Sequence, residues 1–324
     1  MFDIENILDI GNRAEFEQKA LQLFHFQAEH CTPYREYLRL AGFGPDFVRS
    51  IRRLDDIPYM PICIFKLREV YCGDNPPETV FTSSATTGMT PSRHPVARLE
   101  DYRKSFTAAF RIFYGDPSQY ALFALLPSYL ERKGSSLVMM ADSLISQCGA
   151  GGFYLDDYEA LLADMAACGK PTILLGVTYA LLELAERYSP DLHESIIMET
   201  GGMKGRREEL PKNELHRRLC EAFGAERIHS EYGMAELSSQ AYSLGGGIFR
   251  TPPWMRVTVR DVNDPFDILP SGSRGGVNII DLANLHSCAF IQTEDMGRTF
   301  PDGSFTIEGR IDRSEIRGCN LLVQ

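Results

Sequence analysis

Short apolar runs and amphipathic stretches take turns along residues 120–230, and this alternation limits the possible folds more than anything else in the chain. Residues 120–126, 172–175, 195–199 and 227–230 have the length and apolar character of buried strands. Residues 158–168, 179–188 and 208–223 between them carry helical spacing. Strands interleaved with helices predict an α/β fold, with a parallel sheet covered by helices. From Trp254 onward the pattern changes to short strands at 255–261, 275–281, 289–293 and 304–308, separated by Gly, Asp and Pro turns. That section reads as a β-rich appendage, either a subdomain or a distorted barrel. The first eighty residues read as helical. Phe16, Ala20, Leu21, Phe24 and Ala28 recur at helical spacing over 15–31. Thr32 and Pro33 then supply an N-cap and a first-turn proline for a helix through Leu40, closed by Gly42. A further helix over 99–113 places Tyr102, Phe106, Phe110 and Phe113 on one face, as core packing requires. The expected organisation is a helical region at 1–80, an α/β core at 81–250 and a β-rich section with a short tail at 251–324.

The 324 residues can bury a large core as one domain or two. A net charge of −11 argues against non-specific nucleic-acid binding, which needs a basic surface. No segment approaches the roughly 20 apolar residues of a membrane-spanning helix. The acidic, interrupted amino terminus does not read as a signal peptide, so a cytoplasmic location is expected. The eight cysteines are scattered, with no CxxC pair and no zinc spacing among Cys and His, so a metal held by protein ligands alone is not expected.

Residues 81–94, FTSSATTGMTPSRH, crowd six hydroxyl side chains (Thr82, Ser83, Ser84, Thr86, Thr87 and Thr90) and Gly88 into nine positions. Such a loop is either a solvated polar turn or a cradle that presents hydroxyl and N–H groups to phosphate oxygens. Three later segments bear on the choice. At 229–236, HSEYGMAE follows a predicted strand: Tyr232 offers a flat face for a base, Gly233 a close turn and Glu236 a carboxylate for a metal–nucleotide complex. At 291–295, IQTED ends a strand with Asp295 placed to accept hydrogen bonds from ribose hydroxyls. At 309–313, GRIDR offers Arg310 to phosphate or ribose oxygens. A surface Tyr-Gly turn or a Gly-Arg hairpin is structural in most proteins, so the order and separation of the segments carry the signal. No GxxxxGK[ST] occurs, and CGAGG at 148–152 is not GxGxxG, which removes a P-loop and a dinucleotide fingerprint.

In this order the four segments resemble the adenylate-forming (acyl/aryl-CoA ligase-like) superfamily, whose phosphate loop, adenine, ribose and hinge motifs read roughly TSGTTGxPK, YGxTE, TGD and GRxDR. The resemblance covers residues from about 80 to the end. It implies the large α/β domain of those enzymes. It also implies ATP and Mg²⁺ as cofactors, with Ser83, Ser84, Thr86, Thr87 and Gly88 around the phosphates, Tyr232, Gly233, Asp295 and Arg310 around the nucleoside, and Glu236 toward the metal. Ala85 replaces the usual loop glycine, and Ser92-Arg93 stands where a lysine is expected. The chain stops at Gln324, so the family's carboxy-terminal lid with its catalytic lysine is expected to be absent or vestigial. The short tail is similar to that of the acyl-protein synthetases of bioluminescence-type fatty-acid reductase systems. By that resemblance Cys319 accepts the acyl group, Gly201, Gly202 and Lys204 form the GG-x-K element beside the acyl pocket, and Tyr129 walls the pocket. Lys204 is a candidate to steady the α-phosphate, unless it is a surface or capping lysine; His94 and His229 flank two motifs as candidate phosphate or adenine contacts. The implied reaction converts a carboxylic acid, expected to be fatty, into acyl-AMP with pyrophosphate release, then acylates a cysteine. A reductase or carrier protein would then take the acyl group. The alternatives are a CoA ligase that borrows a lid from another chain, or a nucleotide-binding subunit without turnover.

Overall fold

The protein was analysed as a computed structural model that describes residues 3–83, 90–127, 134–201 and 210–311. Fourteen strands are numbered along the described chain: β1 (Met60–Pro61), β2 (Thr79–Thr82), β3 (Arg93–Val96), β4 (Ala121–Leu125), β5 (Gly151–Tyr154), β6 (Thr172–Val177), β7 (Ile196–Thr200), β8 (His229–Tyr232), β9 (Ala241–Ser243), β10 (Phe249–Arg250), β11 (Met255–Arg260), β12 (Arg274–Asp281), β13 (Phe290–Thr299) and β14 (Phe305–Arg310).

Twelve of these strands form one sheet, in the order β11-β12-β13-β14-β10-β9-β8-β7-β6-β4-β5, with β1 joining alongside β13. The run β5-β4-β6-β7-β8 is parallel. The run from β8 through β9, β10, β14, β13 and β12 to β11 is antiparallel. Burial follows topology. Every residue of β4 and β6 is buried, because helices cover both faces of a parallel sheet, whereas β11 alternates along its first four residues, as a one-sided antiparallel strand does. The β-rich section predicted from Trp254 onward is therefore hydrogen-bonded into the same sheet through the β10–β14 pairing. β13 is also longer than the apolar pattern suggested, because its second half is held by pairing with β12 and β14 rather than by apolar residues.

The helices have local causes. Arg13–His30 begins with a side-chain cap: the Glu15 N–H donates to Asn12 Oδ1 at 3.0 Å, and Glu15 Oε2 accepts from the Gly11 N–H at 2.9 Å. Its buried face includes Phe16, Ala20, Phe24 and Gln27. Gln27 pins it to the 284–289 segment, donating to Asn284 O at 2.7 Å and accepting from the Ala289 N–H at 2.8 Å. The next helix, Thr32–Leu40, differs in its cap from the sequence reading: Cys31 is the extended N-cap residue and Thr32 is already helical, with Pro33 in the first turn. Leu99–Tyr114 buries Tyr102, Phe106 and Phe110, while Phe113 is half-buried against Tyr242. The helix Ser136–Cys148 and strand β5 escaped the periodicity reading, because a run of apolar residues at 137–141 does not distinguish helix from strand. β5 can lie against β4 only because Gly151 adopts φ 103° with its Cα against the Leu122 carbonyl, where any Cβ would clash. The helix expected over 208–223 is Lys212–Phe223 within the described residues, entered from Pro211.

Candidate functional site

The hydroxyl-rich segment is carried by the hairpin β2–β3, in which Thr82 pairs with Arg93. Beyond that pair, the Ser83 N–H donates to Ser92 O at 3.1 Å, and the Ser92 N–H donates to Ser83 Oγ at 2.9 Å. Ser83 thus spends both groups on closing the hairpin. Ser84, Thr86, Thr87 and Gly88 lie outside the described residues, as do Tyr129, Gly202, Lys204 and Cys319; Thr90 is exposed.

One buried histidine joins this hairpin to the segment that follows β8. His94, on β3, is 2% exposed; its Nδ1 lies 2.8 Å from Ala235 O and its Nε2 2.9 Å from Ser287 Oγ. A carbonyl only accepts, so Nδ1 carries the proton, and neutral Nε2 accepts from the Ser287 hydroxyl. Burial pushes the imidazole down to about 4, against the hydrogen bond to Ala235, so it stays neutral at physiological pH. Both ring nitrogens are committed within the protein. The residue acts as a cross-brace between the hairpin and the Tyr232–Glu236 segment, a role that sequence position alone did not suggest.

Glu236 lies just beyond that brace, 5% exposed, with its backbone carbonyl accepting from Asn284 Nδ2 at 2.8 Å. Burial raises its carboxyl. The nearby Ser92 hydroxyl opposes the rise, although no hydrogen bond of ordinary geometry forms and Ser92 Oγ has no partner among the described residues. An unpartnered buried hydroxyl beside a buried carboxyl leaves donor and acceptor capacity for a polar guest. Among the described residues no group of three or more His, Cys, Asp or Glu could hold a metal ion. Mg²⁺ is commonly held by one carboxylate plus phosphate oxygens and water, and a solitary Glu236 fits that donor set.

Behind Glu236 the turn is fixed by Asp281, which is fully buried. Its Oδ2 accepts from the Ser238 and Ser239 N–H groups, both at 2.9 Å, and its Oδ1 accepts from Ser239 Oγ at 2.7 Å and the Ala283 N–H at 3.1 Å. Trp254 Nε1 then donates to Ser239 Oγ at 2.9 Å.

Tyr232, at the carboxyl end of β8, meets Asp295, 63 residues further on, and Asp295 in turn pairs with Arg310 across β13–β14. The Tyr232 hydroxyl donates to Asp295 Oδ2 at 2.7 Å. Its ring is packed edge-on by Phe249 and Phe305, with centroids 5.8 and 5.7 Å away. Asp295 and Arg310 are direct partners in the β13–β14 register, with Arg310 Nε 3.8 Å from Asp295 Oδ1 and Arg310 Nη2 3.2 Å from Glu294 Oε2. Burial raises the Asp295 carboxyl, opposed by the Tyr232 hydroxyl and the Arg310 charge. A Cβ at Gly233 would overlap Glu231 Oε1, so a larger residue there would have to displace that carboxylate.

Parallel strand β7 ends beside this group at Thr200 and Gly201, and the Gly201 carbonyl accepts from Thr178 Oγ1 at 3.3 Å. Glu199, 1% exposed, is ion-paired with Lys212 and lies 3.5 Å from His216 Nε2. Burial acts to raise its carboxyl, but the Lys212 charge and hydrogen bonds from His216, Lys212 and Ser230 outweigh it and hold the group at about 2. His229 opens β8 at the end away from Tyr232, with Nδ1 3.1 Å from the Tyr114 hydroxyl; burial lowers it to about 4. Glu231, which the sequence reading passed over, is the buried carboxyl of β8; burial and the Glu199 charge push it up to about 7, against the Thr200 hydroxyl and Lys212.

This fold has solved counterparts. The chain aligns with 2-hydroxyisobutyryl-CoA ligase, in an open conformation with 2-HIB-AMP and CoA, at TM-score 0.68 and 16% identity over 92% of this chain and 70% of that one. It aligns with ATP-bound MatB from Rhodopseudomonas palustris at TM-score 0.56 and 16% identity over 82% of this chain and 52% of that one. The fold is that of the adenylate-forming enzymes. A third neighbour, the luciferase-like enzyme of the nonluminescent Zophobas morio mealworm, aligns at TM-score 0.50 and 15% identity over 72% of this chain and 57% of that one. This chain therefore spans about half the length of MatB. No family model and no curated protein sequence matches it. Identities this low speak for the adenylate-forming fold alone. No helix among the described residues is long and apolar enough to cross a membrane.

Proposed function

We propose that the chain activates a carboxylic acid with ATP, giving acyl-AMP and pyrophosphate, and then passes the acyl group to a thiol. The observation that carries this reading is the convergence of Tyr232, Asp295 and Arg310 near the carboxyl end of β8, with Glu236 on the turn that His94 ties to the hydroxyl-rich hairpin. Tyr232 offers a ring to adenine; Asp295 accepts from ribose hydroxyls; Arg310 complements the anionic ligand. Carboxylate attack at the α-phosphorus needs in-line positioning and charge neutralisation more than covalent help. Glu236 would be the single protein ligand of a Mg²⁺ ion brought in on the phosphates, and the metal would neutralise their charge. The hydroxyls of the 84–90 segment would hold the β- and γ-phosphates. In the second step the Cys319 thiolate attacks the acyl carbonyl, forming the thioester and releasing AMP. A reductase or carrier protein would then receive the acyl group, with a fatty acid as the first acid to test and the cytoplasm as the setting.

The test is acid-dependent ATP–pyrophosphate exchange, followed by intact-mass measurement after incubation with ATP and acid. Exchange and an acyl adduct that disappears in Cys319→Ala are the expected results. No exchange with any acid would refute the activation step. An adduct that survives in Cys319→Ala would refute the acceptor, and CoA thioester formation undiminished in that variant would make the chain a CoA ligase.

A further inference from the structure

At the carboxyl ends of the parallel strands, the sheet face under helix Leu99–Tyr114 carries a polar group that the nucleotide site does not use. Thr200 ends β7 and Glu231 lies directly beside it in the β7–β8 register. Ligands of α/β sheets bind in the crevice at this end of the strands. Across the antiparallel pair β8–β9, Glu231 faces Tyr242, so both side chains project from the same face. Gln240 borders the same spot: a Cβ on Gly233 would lie 3.4 Å from Gln240 Cγ and overlap Glu231 Oε1. Glu231, Gln240 and Tyr242 are 7%, 3% and 1% exposed.

Their hydrogen-bonding capacity is not exhausted. Glu231 Oε2 accepts from the Thr200 hydroxyl, but its Oε1 takes no hydrogen bond among the described residues. Gln240 donates through Nε2 to the Tyr102 hydroxyl at 3.4 Å, leaving Oε1 without a partner. The Tyr242 hydroxyl is buried with no partner among the described residues. Two buried atoms without partners on one face, Gln240 Oε1 and the Tyr242 hydroxyl, are costly unless something polar meets them.

We propose that this chain selects a carboxylic acid bearing a hydroxyl group, held by Glu231, Gln240 and Tyr242, over one with an unadorned alkyl chain. The proposal rests on the acid-activating reading above and specifies its substrate. A hydroxyl donates one hydrogen bond, to Gln240 Oε1 or Glu231 Oε1, and accepts another from Tyr242. An ammonium group has no lone pair for the Tyr242 proton, and a methylene satisfies none of the three atoms.

The experiment measures ATP–pyrophosphate exchange with butyrate against 3-hydroxybutyrate, octanoate against 3-hydroxyoctanoate, 3-aminobutyrate and hexadecanoate. Melting temperature with each acid in the absence of ATP is recorded in parallel. A site built to hydrogen-bond a substrate hydroxyl discriminates strongly, so a hydroxy acid should exceed its unsubstituted partner in kcat/KM by about 10- to 100-fold. Tyr242→Phe and Glu231→Gln should each bring that ratio toward one by slowing the hydroxy acid only. Tyr242→Phe removes an unpartnered hydroxyl, so the melting temperature of the free protein should hold. Exchange with equal or better use of the unsubstituted or amino acid, or a preference that survives both variants, overturns the proposal and leaves acid activation standing. Stabilisation by hydroxy acids that both variants abolish, without exchange, supports the subsite and overturns the activation reading. Neither exchange nor stabilisation overturns both.

Discussion

Acidification should weaken this fold through His94, and the size of the effect follows from its surroundings. The imidazole titrates near 6.5 in an unfolded chain and is held at about 4 in the folded one. The folded value is the depressed one, so the unfolded state binds the proton first as pH falls, and stability is lost between about pH 6.5 and 4. At pH 5 the unfolded ring is protonated by roughly 30 to 1 and the folded ring by about 1 to 10. The resulting shift, about 1.5 decades relative to pH 7.5, corresponds to about 2 kcal/mol. Below pH 4 the loss saturates at about 3.4 kcal/mol. His94→Asn keeps an N–H donor for Ala235 O and removes the titrating ring. Urea unfolding can be followed by Trp254, the one tryptophan in the sequence, which is 1% exposed. The variant should be less stable at pH 7.5, since it loses the Ser287 contact and the ring packing on Phe65. On moving to pH 5, however, it should lose about 2 kcal/mol less than the wild type. His229 and Glu231 titrate in both proteins and cancel in the comparison. Equal acid losses in the two would refute the assignment of His94 as a buried neutral brace.

Three further outcomes can be checked with the same instruments. Asp281→Ala leaves three buried N–H donors and the Ser239 hydroxyl without their acceptor, so stability should fall by at least about 3 kcal/mol in urea unfolding. Gly233→Ala sets a Cβ against Glu231 Oε1 and should cost about 1–3 kcal/mol, most of which the double variant with Glu231→Ala should restore; additive losses would contradict the clash. Tyr232→Phe removes the hydrogen bond to Asp295, and calorimetric titration should show ATP binding about 3- to 10-fold weaker with little change in melting temperature.

Much of the parallel sheet was legible because its strands are covered on both faces and read as unbroken apolar runs, as in 120–126 and 172–175. The antiparallel half was legible strand by strand but not as part of the same sheet. The two-residue strand β10, which joins β14 to β9, carries no periodicity in two residues. Tyr232, Asp295 and Arg310 stood out in the sequence as candidates because of their residue types and motif order, and the structure brings the three side chains together. Glu231, Asp281 and the bracing role of His94 were not found. A buried carboxyl in a strand looks like any other acidic residue until the facing strands show that it is desolvated.

The sequence by itself determined the alternation of strands and helices in the middle of the chain, the change to short strands with Gly, Asp and Pro turns from Trp254 onward, the hydroxyl-rich loop and the residue types offered to a ligand. These are local properties, fixed by periodicity, glycine and proline placement, and side-chain chemistry over a few residues. Tertiary structure alone decided which residues meet: Tyr232 with Asp295 and Arg310, His94 with Ala235 and Ser287, and Glu231 with Thr200 and Tyr242. Those meetings depend on strand register and burial, which join segments as many as 193 residues apart and set the protonation of each group by what covers it.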